Sequence, residues 1–182
     1  MKNTHLVIVV IVIVVILYLS RGKIMAGVSS LTATQLTKNF TLEELTKTSK
    51  PYPNVPSSVQ IKNLTDLAVY ILQPIRDYVK KAVIVNSAFR SPEVNKAVGG
   101  ATTSQHLEGK AADIVIPGYS NQDIIDIIYR LGLPFDQVID EKLQGAEWVH
   151  VSYNGSKGRK QWLTARDGAT QPIYTTIKSG IV

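Results

Sequence analysis

The chain contains no cysteine among its 182 residues. A disulfide framework and a thiolate metal site are therefore excluded, and so is a lipid anchor attached through cysteine. The absence of cysteine is compatible with an oxidising envelope compartment. It leaves the stability of the fold to a hydrophobic core, and the length suits one compact domain with a short appendage.

A concentrated surplus of basic residues is also missing. The formal net charge is +6, but three basic residues flank an apolar N-terminal block, and the rest carries 17 basic and 14 acidic residues. Beyond residue 30, Arg76, Lys80 and Lys81 form a basic cluster, a grouping typical of a solvated helix end. We therefore expect no nucleic-acid partner.

One long hydrophobic run stands at the N-terminus. Residues 6–19 form 14 consecutive apolar positions, which as a helix rise about 21 Å, less than the roughly 30 Å hydrocarbon core of a bilayer. That length resembles the core of a signal peptide. Arg21 and Lys23 stand where a cleavage region is usually neutral, which favours a retained anchor. Residues 1–23 are thus predicted to be a membrane anchor or signal segment.

The rest of the chain divides into a linker over residues 24–38 and a domain over residues 39–182. Capping patterns and apolar periodicity predict helices over residues 41–46, 58–80 and 120–131. Pro74 is expected to kink the second helix or to end its regular hydrogen bonding. Short runs rich in Val or Ile predict strands over residues 82–88, 113–117 and 148–153, with a further strand at 137–139. The pattern predicts an α+β domain.

Histidine is scarce, which makes the positions of the histidines informative. The chain has three, and two lie outside the N-terminal tail: His106, seven residues before Asp113, and His150. A catalytic zinc needs three protein ligands at about 2.0 to 2.2 Å and a fourth position for water. His106, Asp113 and His150 can supply that set, and Gly109 helps the chain turn back between the first two.

Peptide hydrolysis also needs a base that takes a proton from water and delivers it to the leaving amine. Glu147, three residues before His150, is the candidate. On a regular strand these two positions face opposite sides, so Glu147 must precede the strand or lie at a bulge. Asp140 and Glu141 are the alternative bases.

A cationic side chain accompanies this pattern. The segment N-S-A-F-R-S-P at residues 86–92 ends a predicted strand in a turn and presents Arg90. A guanidinium group suits the binding of a substrate carboxylate or the stabilisation of negative charge on a scissile carbonyl.

Five segments together carry a family resemblance. They are L-Q-P-I-R-D at 72–77, S-A-F-R-S at 87–91, V-N-K-A-V-G-G at 94–100, S-Q-H-L-E-G-K-A-A-D at 104–113 and E-W-V-H-V-S at 147–152. On these segments the sequence resembles the zinc D-Ala-D-Ala peptidases of the Hedgehog/DD-peptidase fold. That group includes D,D-carboxypeptidases, vancomycin-resistance dipeptidases and phage wall endopeptidases. The resemblance covers about residues 40–153.

The resemblance implies a small, mainly antiparallel sheet with flanking helices. It implies Zn²⁺ ligation by His106, Asp113 and His150, with Glu147 as the catalytic base and Arg90 in contact with substrate. It further implies that the substrates are peptidoglycan peptides that contain D-Ala.

Two serines also match motif positions in the family. Ser104 and Ser152 are interpreted as residues that orient the ligands, not as nucleophiles, because both candidate histidines are assigned to the metal.

Residues 6–19 make a lipid membrane a second partner. The catalytic domain is therefore expected to face the cell wall, in the periplasm or at the outer face of the cytoplasmic membrane, or to sit on the membrane of a phage virion.

Two alternatives remain: a non-catalytic zinc-containing module that binds the wall, and a membrane-anchored structural protein of a membrane-containing virion. The sequence leaves open carboxypeptidase against endopeptidase, and bacterial against phage origin.

Overall fold

The computed structural model describes residues 34–156, 158–168 and 173–176. The predicted anchor or signal segment over residues 1–23 lies outside them, as does most of the predicted linker. Among the described residues, none of the helices combines the length and apolar character needed to cross a bilayer.

Helices form most of the first half of the domain, and several begin at a polar cap. In chain order they are α1 (Leu42–Leu45), α2 (Ser58–Leu67), a π-helical turn (Ala68–Leu72), α3 (Gln73–Val79), α4 (Pro92–Ala97), a 3₁₀ helix (Gln105–Glu108) and α5 (Asn121–Arg130). The hydroxyls of Thr41, Ser57, Ser91 and Ser120 each accept a hydrogen bond from the N–H three residues later. These caps satisfy donors that the first helical turn leaves free.

The long helix predicted over residues 58–80 is present, and its regular hydrogen bonding is interrupted ahead of Pro74, as predicted. The π-helical turn precedes the proline, and within it the Gln73 N–H donates to the Ala68 carbonyl five residues back. This wider turn accommodates Pro74, which has no N–H to donate and would crowd the preceding turn of a regular helix. The helix therefore continues through α3 and closes at Lys80, whose φ is 54°.

A six-stranded sheet forms the centre of the domain. Its strands are β1 (Ile84–Ser87), β2 (Ala111–Val115), β3 (Gln137–Leu143), β4 (Ala146–Ser152), β5 (Gln161–Arg166) and β6 (Ile173–Thr176). They lie in the order β1-β2-β4-β3-β5-β6. Only the β3–β5 pair among these is parallel. The predicted α+β class with a mainly antiparallel sheet is confirmed for the described residues.

The two faces of this sheet carry different side chains. On one face, Ile114 of β2 and Val149 and Val151 of β4 belong to the main hydrophobic core. The helices contribute to the same core Leu64, Leu67, Ile71, Leu72, Ile75, Ile124, Ile125 and Ile128. Since side chains alternate along a strand, Asp113 and His150, which are direct partners across the β2–β4 pair, project from the other face.

The strand predictions are correct in place but not in length. The strands expected at 82–88, 113–117 and 148–153 correspond to β1, β2 and β4. β3 runs for seven residues, well beyond the predicted 137–139, because its pairing with β4 continues through a hairpin to Leu143. Strands β5 and β6 were not predicted.

Some residues of the predicted linker are packed on the domain. The Thr34 N–H donates to the Glu43 carboxylate at 2.9 Å, and the Thr37 hydroxyl donates to the Gln73 side-chain carbonyl at 2.8 Å. These contacts tie residues 34–38 to α1 and α3. The domain boundary at residue 39 stays a prediction.

Candidate metal centre

Three elements deliver the three predicted ligands to one point. His106 lies in the 3₁₀ helix, whose cap is Ser104, and Asp113 and His150 face each other on β2 and β4. The turn from the 3₁₀ helix into β2 is made by Gly109, with a φ of 69°. A Cβ there would lie 2.8 Å from the Gln60 carbonyl oxygen. Glycine therefore permits both the left-handed backbone and the close approach to α2.

The candidate ligand atoms form a nearly regular triangle. His106 Nε2 lies 3.2 Å from Asp113 Oδ1 and 3.2 Å from His150 Nδ1, and the third edge, His150 Nδ1 to Asp113 Oδ1, is 3.0 Å. Bonds of about 2.0 to 2.1 Å in a tetrahedral zinc site place neighbouring ligand atoms roughly 3.3 Å apart. The triangle thus matches one face of such a tetrahedron.

The protonation state of His106 leaves a ring nitrogen in the triangle free to bind a cation. Its Nδ1 lies 2.6 Å from the Ala88 carbonyl oxygen, which can only accept, so Nδ1 carries a proton. Burial lowers the pKa of His106, despite the opposing effect of Asp113, and the imidazole is therefore neutral with a bare lone pair on Nε2. That lone pair faces a carboxylate oxygen, which is the arrangement a metal stabilises. The donor set fits zinc.

Arg90 lies beside this triangle and holds the carboxylate. Its guanidinium forms a salt bridge with Asp113 Oδ2, its Nε donates to the Ser87 hydroxyl at 2.8 Å, and its backbone N–H donates to the His106 carbonyl. Burial by itself would raise the pKa of Asp113, but the two neighbouring histidines lower it by more. Asp113 is therefore a carboxylate with Oδ1 turned to the histidines. The predicted substrate contact of Arg90 stays a prediction.

Glu147 is not brought to the triangle. It lies inside β4, directly opposite Lys142 of β3, with no shift in the register of that strand pair. Its side chain is 56 % exposed and pairs with Lys142 at 3.0 Å. The bulge or strand break that would turn it toward His150 is thus not observed, and regular alternation directs it to the opposite face of the sheet.

Glu141 lies on the same face of the sheet as the triangle, whereas Glu147 does not. It lies two residues from Ile139, the direct partner of His150, and so projects from the same face. Diagonal neighbours of this kind have Cα atoms about 7 to 8 Å apart. Glu141 is 8 % exposed. Burial, and next the charge of Asp113, raise its pKa to about 7.

The neighbours of Glu141 differ from it in role. Asp140 projects from the other face, where Arg166 and Asn121 each bind its carboxylate at 2.6 Å, so it is held in a structural network. Trp148 is the direct partner of Glu141 across the β3–β4 pair. Its indole N–H lowers the pKa of Glu141 slightly but is buried without a hydrogen bond of normal geometry to the residues that the structure describes.

A buried carboxylate that sequence reasoning missed anchors the segment that carries His106. Asp136 is 1 % exposed. It accepts hydrogen bonds from Gln105 Nε2 at 3.0 Å and from the backbone and guanidinium of Arg159. It therefore ties the 3₁₀ helix to the start of β3 and to the segment before β5. A single Asp ahead of an apolar strand gives no signal of this role.

The two serines serve the backbone near the triangle. The Ser104 hydroxyl accepts from the His106 N–H at 3.4 Å, and the Ser152 hydroxyl accepts from the Gln137 N–H at 3.0 Å. Ser104 thus fixes the turn that carries one predicted ligand, and Ser152 fixes the start of β3.

Comparison with known families gives a match. The family described as Peptidase M15 matches residues 38–152, a span that includes the whole triangle together with Arg90, Glu141 and Glu147. Among curated proteins, no match to the chain was found.

Proposed function

The chain belongs to the peptidase M15 family, and on that premise we propose that it is a zinc-dependent peptidase that hydrolyses D-Ala-containing peptides of peptidoglycan. Family membership accounts for the peptidase class. The observation that carries the metal-dependent part is the buried triangle of His106, Asp113 and His150, in which a bare imidazole nitrogen and a carboxylate oxygen lie 3.2 Å apart.

In this proposal, His106 Nε2, Asp113 Oδ1 and His150 Nδ1 hold the zinc. When bound, zinc supplies a Lewis acid that lowers the pKa of water toward about 7 and polarises a carbonyl. The Ala88 carbonyl keeps His106 in the tautomer that can bind metal, and Arg90 fixes the carboxylate of Asp113.

Glu141 is the proposed general base. It takes the proton of the attacking water and later gives it to the leaving amine, a role that favours a pKa near the working pH. Its support is geometric: it projects from the same face as His150, whereas Glu147 lies on the regular strand facing away. Burial brings its pKa to about 7, which suits both halves of the proton transfer.

One donor is proposed to meet the substrate. The guanidinium of Arg90, 15 % exposed, offers further N–H groups to the charge that develops on the scissile carbonyl oxygen. It lies in a region of low exposure, where hydrogen bonds to developing charge are strongest.

Mass spectrometry of muropeptides incubated with the purified, zinc-loaded full-length protein tests this function. We expect release of D-Ala or opening of a D-Ala cross-link, loss of that product with a chelator, and its return on addition of zinc. The bond that is cleaved separates carboxypeptidase from endopeptidase activity.

A folded, zinc-loaded protein that binds sacculi and yields no product would overturn the proposal and favour the non-catalytic wall-binding alternative. Stable association with virion proteins and no affinity for sacculi would favour the structural alternative. Location at the wall side of a membrane is proposed from residues 6–19 alone, and fractionation of cells that express the full chain tests it.

A further inference from the structure

Residues 88–91 carry the Arg90 side chain to the triangle, yet they belong to none of the helices and strands described above. Strand β1 ends before this segment, and α4 begins after it. Phe89 and Ser91 are nonetheless buried, 2 % and 7 % exposed. Because buried backbone N–H and C=O groups need hydrogen-bond partners, contacts from elsewhere in the chain must hold this segment.

One side chain, that of Asn54, supplies such partners on both sides of Arg90. Its Nδ2 donates to the Phe89 carbonyl at 2.9 Å, and its Oδ1 accepts from the Ser91 N–H at 2.6 Å. The same Nδ2 donates to the Thr46 carbonyl at 2.8 Å, at the end of α1. A side-chain amide has the same kinds of donor and acceptor as a peptide group. Asn54 therefore pairs with the segment as a residue of a neighbouring strand would.

The peptide between Phe89 and Arg90 is held from two opposite sides. It is trans, so its C=O and its N–H point in opposite directions. The C=O accepts from Asn54, and the N–H donates to the His106 carbonyl at 3.1 Å. The backbone that bears the Arg90 guanidinium is thus clamped between Asn54 and a candidate zinc ligand.

The segment that carries this amide is suited to serve as a fixed support. Residues 51–56 read P-Y-P-N-V-P, and each proline restricts its φ to about −65°. The Pro53 carbonyl accepts a hydrogen bond from the Ser91 hydroxyl at 2.8 Å. Tyr52 and Val55 are 45 % and 80 % exposed, so hydrogen bonds, more than burial, attach the segment to the domain.

We propose that Asn54 is a positioning residue for Arg90, and that it sets the guanidinium where it holds Asp113. The far end of the Arg90 side chain is fixed by Asp113 and by the Ser87 hydroxyl, and Asn54 fixes its backbone end. Loss of the amide leaves two buried backbone groups without that partner and lets the turn shift. The inference rests on the proposed function, because it assumes that Asp113 binds zinc and that Arg90 meets developing charge.

Zinc affinity of the full-length protein, measured by competition with a chromophoric chelator, is the first test. Asn54→Ala should weaken zinc binding about tenfold, the lower end of the loss expected when a group that supports a metal ligand is removed. Gln73→Ala is the matched control, because this side-chain amide also makes three hydrogen bonds, to Thr37 and Asn39. It lies in α3, on the other face of the sheet, and the variant should bind zinc as the wild type does.

A double-mutant cycle tests whether Asn54 acts through Arg90. In an Arg90→Ala background, Asn54→Ala should change zinc affinity little, because the side chain that it positions is already missing. A general structural role of Asn54 instead predicts the same loss of about tenfold in both backgrounds. Equal losses in the two backgrounds, or an unchanged zinc affinity of Asn54→Ala, would overturn the proposal.

Steady-state kinetics at saturating zinc extend the test to turnover. Asn54→Ala should lower kcat about tenfold and leave KM near the wild-type value, since Arg90 is proposed to act on charge that develops in the transition state. A raised KM with unchanged kcat would contradict the positioning role. If the wild type cleaves no muropeptide, the proposed function fails, and the cycle in zinc affinity still decides the role of Asn54.

Asn54→Asp covers the case in which Asn54→Ala does not fold. It keeps the shape of the side chain and the acceptor for the Ser91 N–H but loses the donor to the Phe89 carbonyl. It should therefore also weaken zinc binding, and a thermal melt checks that each variant is folded. Zinc binding by folded Asn54→Asp equal to that of the wild type would refute the clamp.

Discussion

The two faces of the sheet bury different kinds of side chain. The face that packs against α2, α3 and α5 buries aliphatic side chains such as Ile114 and Val149, both 0 % exposed. The opposite face buries Asp113, His150 and Glu141, each below 10 % exposed. Burial of the first kind stabilises the fold, whereas burial of ionisable groups costs free energy unless partners or a cation compensate it.

The alternation of faces along each strand indicates which ionisable groups can reach the triangle. Neighbours along one strand fall on opposite faces, so Asp140 serves the structural network and Glu141 faces the triangle, although they are adjacent in sequence. The same rule separates Glu147 from His150. The face of the sheet from which a carboxylate projects, more than its distance along the chain from His150, determines whether it can reach the triangle.

The largest expected effect comes from removing one ligand of the polar face. His150→Ala should lower zinc affinity by at least about a hundredfold, because such losses already follow changes to groups that merely support a ligand. Competition with a chromophoric chelator measures this. His5→Ala, at the histidine in the N-terminal tail, is the control and should bind zinc as the wild type does. Equal zinc affinities for wild type and His150→Ala would contradict the assignment of His150 as a zinc ligand.

The next effect separates the two glutamates. Glu141→Gln should reduce kcat by about 10² to 10⁴, the usual contribution of a general base, and should retain zinc. Glu147→Gln should stay within about twofold of wild type, since its side chain is exposed and pairs with Lys142. Muropeptide turnover decides between them. The reverse result would restore the E-x-x-H assignment made from the sequence.

A third effect belongs to the apolar side of the sheet. Ile128 in α5 is 0 % exposed, and Ile128→Ala should lower the free energy of unfolding by about 2 to 5 kcal/mol through lost burial and a cavity. Ile84→Ala, at a residue 44 % exposed, should cost far less. Urea unfolding measures both. Zinc affinity of the folded Ile128→Ala protein should be unchanged, and a marked loss would mean that the faces are not independent.

The smallest effect is a pH dependence of the metal-free protein. Folding raises the pKa of Glu141 from 4.5 to about 7, so between these values the folded state holds a proton that the unfolded state has released. The stability from this group is present below pH 4.5 and is lost as pH rises through 7. Relative to Glu141→Gln, the wild type should lose about 1 to 3 kcal/mol between pH 5 and 8. Parallel unfolding curves for both proteins would contradict this.

Much of the fold and the meeting of the three predicted ligands could be inferred from the sequence. Capping residues and apolar spacing determine α2 and α5, and the scarcity of histidine left few ways to build a site. The roles of His106, Asp113 and His150 as metal ligands stay predictions. The sequence named Glu147 as the base and kept Asp140 and Glu141 as alternatives, because the predicted strand at 137–139 stopped short of Glu141 and gave that residue no face; the identity of the base stays a prediction.

Other features depend on contacts that are distant in the chain. Strands β5 and β6 have weak alternation and are held by pairing with β3 and with each other. Asp136 matters through Gln105 and Arg159, which lie 31 and 23 residues away. No local pattern reports such contacts.

Zinc-edge X-ray absorption of the zinc-loaded full-length protein tests directly whether His106, Asp113 and His150 form a zinc site. We expect one zinc per chain, with two imidazoles and oxygen donors at about 2.0 to 2.2 Å. A shell of oxygen alone, without imidazole scattering, or a spectrum unchanged in His106→Ala, would contradict it.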